Sequence, residues 1–224
     1  GNVGACARAI KNMGFNKLGL LNPLNFPSDE AFYRAKGAGD LLDSAKIYSS
    51  LDEALSEKTL VLGTSARDRT IPWPSVFTNN IDKDISNLDN KNKISILFGR
   101  EKSGLTNEEL QRCHMHIKIP SSEDYTSLNL SHAVQIISYE LRNALLKNQK
   151  NEIKSDVPLS TDKDDEFLLK HVDEVLLGLD FYDQNSSRQV KARLKRLLKK
   201  ARPDKLEVGI LRGFLSKIQE LLNK

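Results

Sequence analysis

Short apolar runs alternate with segments of helical period along the first two thirds of the chain. A short apolar run bounded by glycine, proline or asparagine is typical of a buried strand, whereas apolar residues at intervals of three and four are typical of a helix. Helices are predicted at residues 2–13, 28–36, 51–56 and 128–147, and strands at Leu18–Leu21, Lys46–Ser49, Leu60–Gly63, Ile94–Phe98 and Ile117–Ile119. This alternation predicts an α/β domain with a mostly parallel sheet and helices on both faces.

The pattern changes after residue 148. Residues 149–162 are polar, contain Pro158 and have no apolar period, which predicts a linker. Residues 163–224 show only helical periods, with apolar stripes that include Leu168 and Val175, then Leu194 and Leu197, then Leu215 and Ile218. The chain is therefore predicted to consist of an α/β domain (1–148), a linker (149–162) and a small all-α extension (163–224). Since an α/β sheet normally begins with a strand, we also expect a strand ahead of Gly1 in the natural protein.

Positive charge is concentrated in the extension. The formal net charge of the chain is only +4, but residues 188–205 contain nine Lys or Arg and one acid, Asp204. Five of the cations recur at intervals of three or four residues and share one side of a predicted helix, away from its leucines: Arg188, Lys191, Lys195, Lys199 and Arg202. Such a stripe suits a phosphate backbone or an acidic partner, and a solvated helix surface is the alternative interpretation.

Composition narrows the class of protein. The two cysteines, Cys6 and Cys113, have no metal-type spacing, which favours free thiols in a reducing cytosol and predicts a cytoplasmic protein. His114 and His116 form a His-x-His pair, but no third ligand lies near them in the sequence, so no metal site is predicted. No apolar run approaches the roughly 20 residues needed to span a bilayer. We therefore expect no membrane partner.

Candidate chemistry follows two successive predicted strands. Ile94–Phe98 runs directly into Gly99, with a second glycine at Gly104, and Ile117–Ile119 precedes a polar loop that contains Ser127. Ligands of open α/β sheets bind at the carboxyl ends of the strands. The sequence therefore predicts a ligand site where these two loops meet.

Three segments then resemble the signature motifs of SPOUT-class RNA 2′-O-ribose methyltransferases. They are GNVGACARAIKNMG (1–14), ILFGREKSGLTNEEL (96–110) and IPSSEDYTSLNLSHAVQ (119–135), in this order. The segment LGTSARDRTIPWP (62–74) and the helical extension narrow the resemblance to the bacterial tRNA (cytidine/uridine) 2′-O-methyltransferases. The resemblance implies a C-terminal trefoil knot in the α/β domain, a homodimer, S-adenosylmethionine as cofactor, and methylation of the ribose of cytidine or uridine at position 32 of the tRNA anticodon loop.

The resemblance also implies roles for individual residues. The predicted cofactor-binding residues are Thr64, Ser65, Ala66, Gly99, Ile119, Thr126, Ser127 and Leu128. Arg8 and Ser127 are the predicted catalytic residues. A guanidinium stays protonated in neutral water, so Arg8 is expected to bind the target phosphate and polarise the hydroxyl rather than accept its proton, and the proton acceptor is left open. The predicted RNA-binding residues are Arg67, Arg69, Arg188, Lys191, Lys195 and Lys199.

Several neighbouring side chains have two interpretations. Ser127 also suits the N-cap of the following helix. Glu101 is expected either to orient Arg100 or Arg8, or to form an ordinary surface salt bridge. Tyr125 is expected to stack on a base or to lie in a dimer interface. Trp73, between two prolines, favours a loop anchor over a platform for bases.

Two other functions remain open on the sequence. One is a related methyltransferase that acts on ribosomal RNA. The other is a non-catalytic RNA-binding module on the same fold. The intact set of Arg8, Gly99 and Ser127 argues against the second, because a protein that only binds RNA does not need it.

Overall fold

The computed structural model describes residues 2–65, 72–85, 92–122, 124, 126–148, 157–182 and 188–222. The α/β domain contains helices α1 (Asn2–Asn12), α2 (Asp29–Ala35), α3 (Gly39–Asp43), α4 (Leu51–Leu55), α5 (Asp82–Ile85), α6 (Asn107–Gln111) and α7 (Leu130–Asn148). Its strands are β1 (Gly19–Leu21), β2 (Lys46–Tyr48), β3 (Leu60–Thr64), β4 (Ser75–Phe77), β5 (Ile94–Leu97) and β6 (Met115–Lys118). The extension contains α8 (Asp162–Gly178), α9 (Arg188–Ala201) and α10 (Lys205–Leu222).

All strand pairs are parallel, which confirms the predicted α/β class. Four strands form one sheet in the order β4-β6-β3-β5, and β1 and β2 form a separate pair. Strand β3 is at the centre, and Leu60, Val61 and Leu62 are completely buried. Strand β4 follows Pro74 in a segment for which no strand was predicted. Because the four strands run in one direction, their carboxyl ends meet at one edge of the sheet.

Packing on the sheet explains where the long helices lie. Ile137 and Leu141 of α7 belong to the same buried cluster as Leu60 and Leu62. Helix α1 packs on α7 through Ala9, which contacts Val134 in a second cluster. The short helix α5 lies between β4 and β5, and Ile81 and Ile85 insert into the first cluster. Residues 86–91 lie outside the described ranges.

The first helix of the extension begins with a capping box at the end of the predicted linker. Thr161 accepts a hydrogen bond from the backbone of Asp164, whose carboxylate accepts one from the backbone of Thr161, and this capping box starts α8. The backbone N–H of Ser160 donates to Pro203 over 3.0 Å, so the end of the predicted linker is paired with the start of α10. The rest of the predicted linker, 149–156, lies outside the described residues.

A buried ionic cluster joins the extension to the α/β domain. We define it as Arg112, His114, Asp162, Asp165 and Lys199. The ammonium group of Lys199 lies 2.9 Å from a carboxylate oxygen of Asp162 and 2.9 Å from one of Asp165. Arg112 pairs with Asp162, and Nε2 of His114 lies 3.6 Å from Asp165. The cluster therefore bridges α8 and α9 to the segment that leads into β6.

The charge states of this cluster follow from its surroundings. Burial would lower the pKa of Lys199, but the carboxylates of Asp165 and Asp162 outweigh burial and raise it. Burial lowers the pKa of His114 despite its contact with Asp165. Because Nδ1 of His114 accepts the backbone N–H of Val61 over 3.0 Å, the neutral ring has a hydrogen-bond role within the sheet. The ammonium group of Lys199 thus remains charged inside the protein. Burial would raise the pKa of Asp165, but its contacts with His114 and Lys199 outweigh burial and lower it.

Candidate cofactor and RNA site

A cleft of about 210 Å³ lies at the edge of the larger sheet where β3, β5 and β6 end. Loops that follow these strands form its walls, as the sequence predicted for two of them. The predicted cofactor residues that line it are Thr64, Ser65, Gly99, Ile119, Thr126, Ser127 and Leu128. Ala66, the remaining one, lies outside the described residues. The structure thus brings together residues that are more than 60 positions apart in the chain.

A tight turn after β5 forms one wall of the cleft. The backbone N–H of Gly104 donates to the carbonyl of Arg100 over 2.8 Å, and the N–H of Arg100 donates back over 3.2 Å. A Cβ atom on Gly99 would lie 2.0 Å from the carbonyl carbon of Gly104, and Gly104 itself has a φ of +67°. A side chain at Gly99 would therefore require a backbone shift, and Gly104 adopts the left-handed conformation that glycine favours. The cleft wall therefore lacks a side chain at these two positions of the turn.

Three polar side chains from different parts of the chain meet at the rim. The amide of Asn2 donates to Glu101 over 2.8 Å, and the amide of Asn129 donates to the side-chain oxygen of Asn2 over 3.3 Å. The hydrogen bond from Asn2 lowers the pKa of Glu101, so this side chain is a carboxylate at neutral pH. Asn2 was not among the predicted site residues. Its position at the start of the first motif was the one feature of the sequence that could have indicated a place in the site.

The partner of Glu101 differs from the sequence expectation. Arg100 forms two hydrogen bonds with Glu109, of 3.1 and 3.0 Å, and Glu109 also belongs to the capping box of α6. Arg100 is therefore anchored to its own loop, and Glu101 binds Asn2. Neither Arg100 nor Arg8 is oriented by Glu101 in the structure.

Asn129 rather than Ser127 caps the helix that follows the cleft. Helix α7 begins at Leu130, and the Asn129 side-chain oxygen accepts from the backbone N–H of Ser131 over 2.9 Å and from its hydroxyl over 2.7 Å. The expected N-cap role of Ser127 is thus wrong, because the helix starts two residues later than predicted. Asn129 thus fixes the start of the helix, and Ser127 lies in the cleft wall.

Arg8 lies outside this cleft. It is exposed on α1 and is not among the lining residues. Asn2 on the same helix reaches the cleft rim, and Arg8 follows six residues later, about 9 Å along the axis at about 1.5 Å per residue. Within the described part of the chain, its guanidinium has no acidic partner.

The cysteines take no part in the cleft chemistry. Both are free and buried, as predicted for free thiols. Burial, together with the nearby carboxylate of Glu101, raises the pKa of Cys6 to about 12. Burial likewise raises the pKa of Cys113 to about 12. Both sulfurs are therefore protonated at neutral pH and are poor nucleophiles.

The His-x-His pair is structural. His114 belongs to the ionic cluster, whereas His116 stacks on Trp73 with ring centroids 5.9 Å apart. The indole N–H of Trp73 donates to the carbonyl of Cys113 over 2.7 Å, which confirms Trp73 as a loop anchor. Across the described residues, no group of three or more His, Cys, Asp or Glu is placed to hold a metal ion. No helix in the same ranges has the length and apolar character needed to cross a membrane.

Most of the predicted RNA stripe on α9 faces α8 instead of solvent. Lys199 is fully buried in the ionic cluster, so the prediction that it binds RNA is wrong. Lys195 lies 3.0 Å from Glu166 with its side chain 19% exposed, and Lys191 lies 2.8 Å from Asp173. The stripe is turned inward because α8 presents a row of acids to it.

The other predicted RNA residues have different outcomes. Arg188 is exposed at the start of α9. Arg67, Arg69 and Tyr125 lie outside the described residues. The predicted apolar face of α9 is only partly covered, and Leu197 is 63% exposed. The three helices of the extension are confirmed, but the face by which α9 packs differs from the predicted one.

Comparisons with known proteins agree with this architecture. Residues 1–139 match the model of the SpoU rRNA methylase family, and residues 163–224 match the model of the C-terminal domain of the tRNA methyltransferase TrmJ. The chain is 42% identical to the tRNA (cytidine/uridine/adenosine-2′-O-)-methyltransferase TrmJ of Pseudomonas aeruginosa, with 99% of this chain and 90% of that protein covered.

Two further relatives cover nearly the whole chain. The tRNA (cytidine/uridine-2′-O-)-methyltransferase TrmJ of Salmonella choleraesuis is 43% identical, over 98% of this chain and 92% of that protein. The crystal structure of TrmJ from Z. mobilis ZM4 has a TM-score of 0.82 at 26% identity, and the match covers 97% of this chain and 93% of that one. The chain therefore belongs to the SpoU rRNA methylase family.

Proposed function

We propose that the protein transfers the methyl group of S-adenosylmethionine to the 2′-hydroxyl of a cytidine or uridine in tRNA, at position 32 of the anticodon loop. The observation that carries this proposal is the similarity to tRNA 2′-O-methyltransferases along nearly the whole chain, including the extension. A ribosomal RNA substrate is less well supported, because the extension matches a domain named for a tRNA enzyme. The convergence of the predicted cofactor residues on one cleft supports an enzyme over a module that only binds RNA.

The cleft suits S-adenosylmethionine, which contains a positively charged sulfonium and no phosphate. Its lining combines apolar and small polar side chains with the charged residues Arg100, Glu101 and Lys102. Gly99 has no side chain, so a ligand can lie close to the main chain there. The Glu101 carboxylate supplies negative charge at the rim. When bound, the cofactor supplies a methyl group that is already activated for attack by an oxygen nucleophile.

The protein has to position the ribose hydroxyl, because proximity and orientation contribute much of the effect in such a transfer. Asn2, Glu101 and Asn129 fix the rim by mutual hydrogen bonds. Arg8 is exposed on the same helix as Asn2 and has no acidic partner among the described residues. In this proposal it binds a phosphate of the target nucleotide and polarises the hydroxyl. Ser127 lines the cleft and contacts the reacting groups.

We further propose that the protein acts in the cytoplasm as a homodimer and that the loops around the cleft belong to a trefoil knot.

Methylation of purified tRNA tests the proposed function. Unmodified tRNA transcripts are incubated with the full-length protein and S-adenosylmethionine, and ribose methyls are mapped by position. We expect a 2′-O-methyl at position 32 of transcripts with cytidine or uridine there, and an adenosine transcript shows whether the broader specificity of the Pseudomonas relative applies. Methylation of a base, of ribosomal RNA alone, or of no RNA would contradict the proposal.

Replacing Gly99 with alanine tests the cleft. The added Cβ collides with backbone at Gly104, so the turn has to move. We expect S-adenosylmethionine affinity to fall at least about tenfold and the free energy of unfolding to fall by about 1–3 kcal/mol, as in overpacked sites. Calorimetric titration and urea unfolding measure the two effects.

Gly37→Ala is the matched control, because a Cβ there meets nothing within 4 Å. We expect its cofactor affinity to be unchanged and its free energy of unfolding to remain within about 0.5 kcal/mol of the parent value. Equal cofactor affinity in Gly99→Ala and Gly37→Ala would remove the turn from the binding site.

A further inference from the structure

Helix α9 distributes its positive charge over two opposite sides. It contains seven Lys or Arg and no acid. Three of its lysines point at acids of α8, as described above. Arg193, Arg196 and Lys200 occupy the other side, within an arc of about 60° at about 100° per residue. We call these three residues the outer basic face.

The outer basic face is available to a ligand. Arg193 and Lys200 are exposed, and neither forms an ion pair or hydrogen bond within the part of the chain that the structure describes. By contrast, Lys191, Lys195 and Lys199 each lie within 3.0 Å of a carboxylate oxygen. An approaching phosphate has to displace those carboxylates, but it meets no such competitor at Arg193 and Lys200. The side of α9 with Lys191, Lys195 and Lys199, which the sequence spacing predicted to bind RNA, is thus the weaker candidate for an RNA-binding surface.

The outer basic face is also connected to the cleft. Arg196 donates a hydrogen bond of 2.7 Å to the backbone carbonyl of Pro72. The next residue, Trp73, is anchored to Cys113. Seven residues earlier, Ser65 lines the cleft, and at full extension seven residues span at most about 25 Å. One RNA molecule can therefore place a loop nucleotide at the cleft and its flanking backbone at the outer basic face.

We propose that the outer basic face binds phosphates of the substrate RNA that flank the methylated nucleotide. This proposal rests on the proposed function, because it names the residues that bind the backbone of the same substrate RNA. Guanidinium and ammonium groups bind phosphate oxygens by charge-assisted hydrogen bonds, and such contacts set the register of a nucleic acid without reading its sequence. Arg193 and Lys200 supply exposed charges that have no partner in the described ranges. Arg196 holds the helix beside Pro72.

The test compares three variants of the full-length protein. R193Q/K200Q removes the two charges of the outer basic face that have no partner among the described residues. K191Q removes one charge from the inward side. K170Q/K217Q is a matched control that removes two exposed lysines of α8 and α10, each of which pairs with a glutamate of its own helix. Affinity for the tRNA transcript is measured by filter binding over a range of salt concentrations, and cofactor affinity by calorimetry.

We expect R193Q/K200Q to bind tRNA at least about tenfold more weakly at low salt, with the slope of log affinity against log salt reduced by about 1.4–1.8 for two lost phosphate contacts. K191Q and K170Q/K217Q are expected to stay within about twofold of the parent in tRNA affinity, and all variants keep the parent cofactor affinity. A parent-like affinity and slope in R193Q/K200Q, or a larger loss in K191Q or in the control, would overturn the proposal.

If the parent methylates tRNA and R193Q/K200Q binds it normally, only the assignment of this face fails. If the parent neither binds nor methylates tRNA, the proposed function fails with it.

Discussion

Replacing Lys199 with methionine is expected to lower the free energy of unfolding by about 3–5 kcal/mol, since breaking a buried ion pair leaves uncompensated charge inside a protein. Methionine fills a similar volume but cannot neutralise Asp162 and Asp165, both of which are almost completely buried. Asp162 keeps Arg112 as a partner, so most of the cost falls on Asp165. Urea unfolding followed by circular dichroism measures the change.

Lys200→Met provides the control for this prediction. It removes the same charge one residue later, at an exposed position of the same helix. Its free energy of unfolding should stay within about 0.5 kcal/mol of the parent value. Equal unfolding midpoints for Lys199→Met and Lys200→Met would mean that the ionic cluster does not hold the extension.

Replacing Arg8 with alanine is expected to lower the rate of methylation by about 10²–10³, the range seen when one preorganised donor is removed from an active site. S-adenosylmethionine affinity should be unchanged, because Arg8 does not line the cleft. Single-turnover methylation of saturating tRNA measures the rate, and calorimetry measures the affinity. A loss of rate with intact cofactor binding places Arg8 with the RNA and the reacting hydroxyl.

Arg34→Ala is the matched control for Arg8→Ala. Arg34 is an exposed arginine of α2 that pairs with Glu30 of its own helix. Its removal should leave the rate within about twofold of the parent value, because surface substitutions away from special features have small effects. A normal rate in Arg8→Ala, or equal losses in both variants, would remove Arg8 from the mechanism.

The position of the cleft could be predicted from the sequence because parallel strands share a direction. Once Leu60–Gly63, Ile94–Phe98 and Ile117–Ile119 were recognised as strands, their carboxyl ends had to meet at one edge. The place of Gly99 directly after a strand predicted that it lies in a ligand-binding loop, and the family resemblance added the cofactor as the ligand. Asn2 was missed because its partner, Glu101, lies 99 residues away, and local patterns do not pair such distant residues.

The orientation of α9 could not be predicted from its own period. A helical wheel shows which residues share a side, but not which neighbour covers that side. The signal lay in α8, whose acids Asp162, Glu166 and Asp173 match Lys199, Lys195 and Lys191 in reverse order. Reverse order is expected of antiparallel neighbours. The sequence pattern instead placed Asp162 at the end of the predicted linker, so it was not matched with a lysine of α9.

The ionic cluster has a consequence for chimaeric enzymes. Arg112 and His114 sit immediately before β6, whose end contributes Ile117 to the cleft wall. A tail transplanted from this chain onto another methyltransferase would bring Asp162, Asp165 and Lys199 without their counterparts. The recipient would also need an arginine and a histidine at the positions of Arg112 and His114, just before the corresponding strand. The extension therefore cannot be transferred to another enzyme by itself.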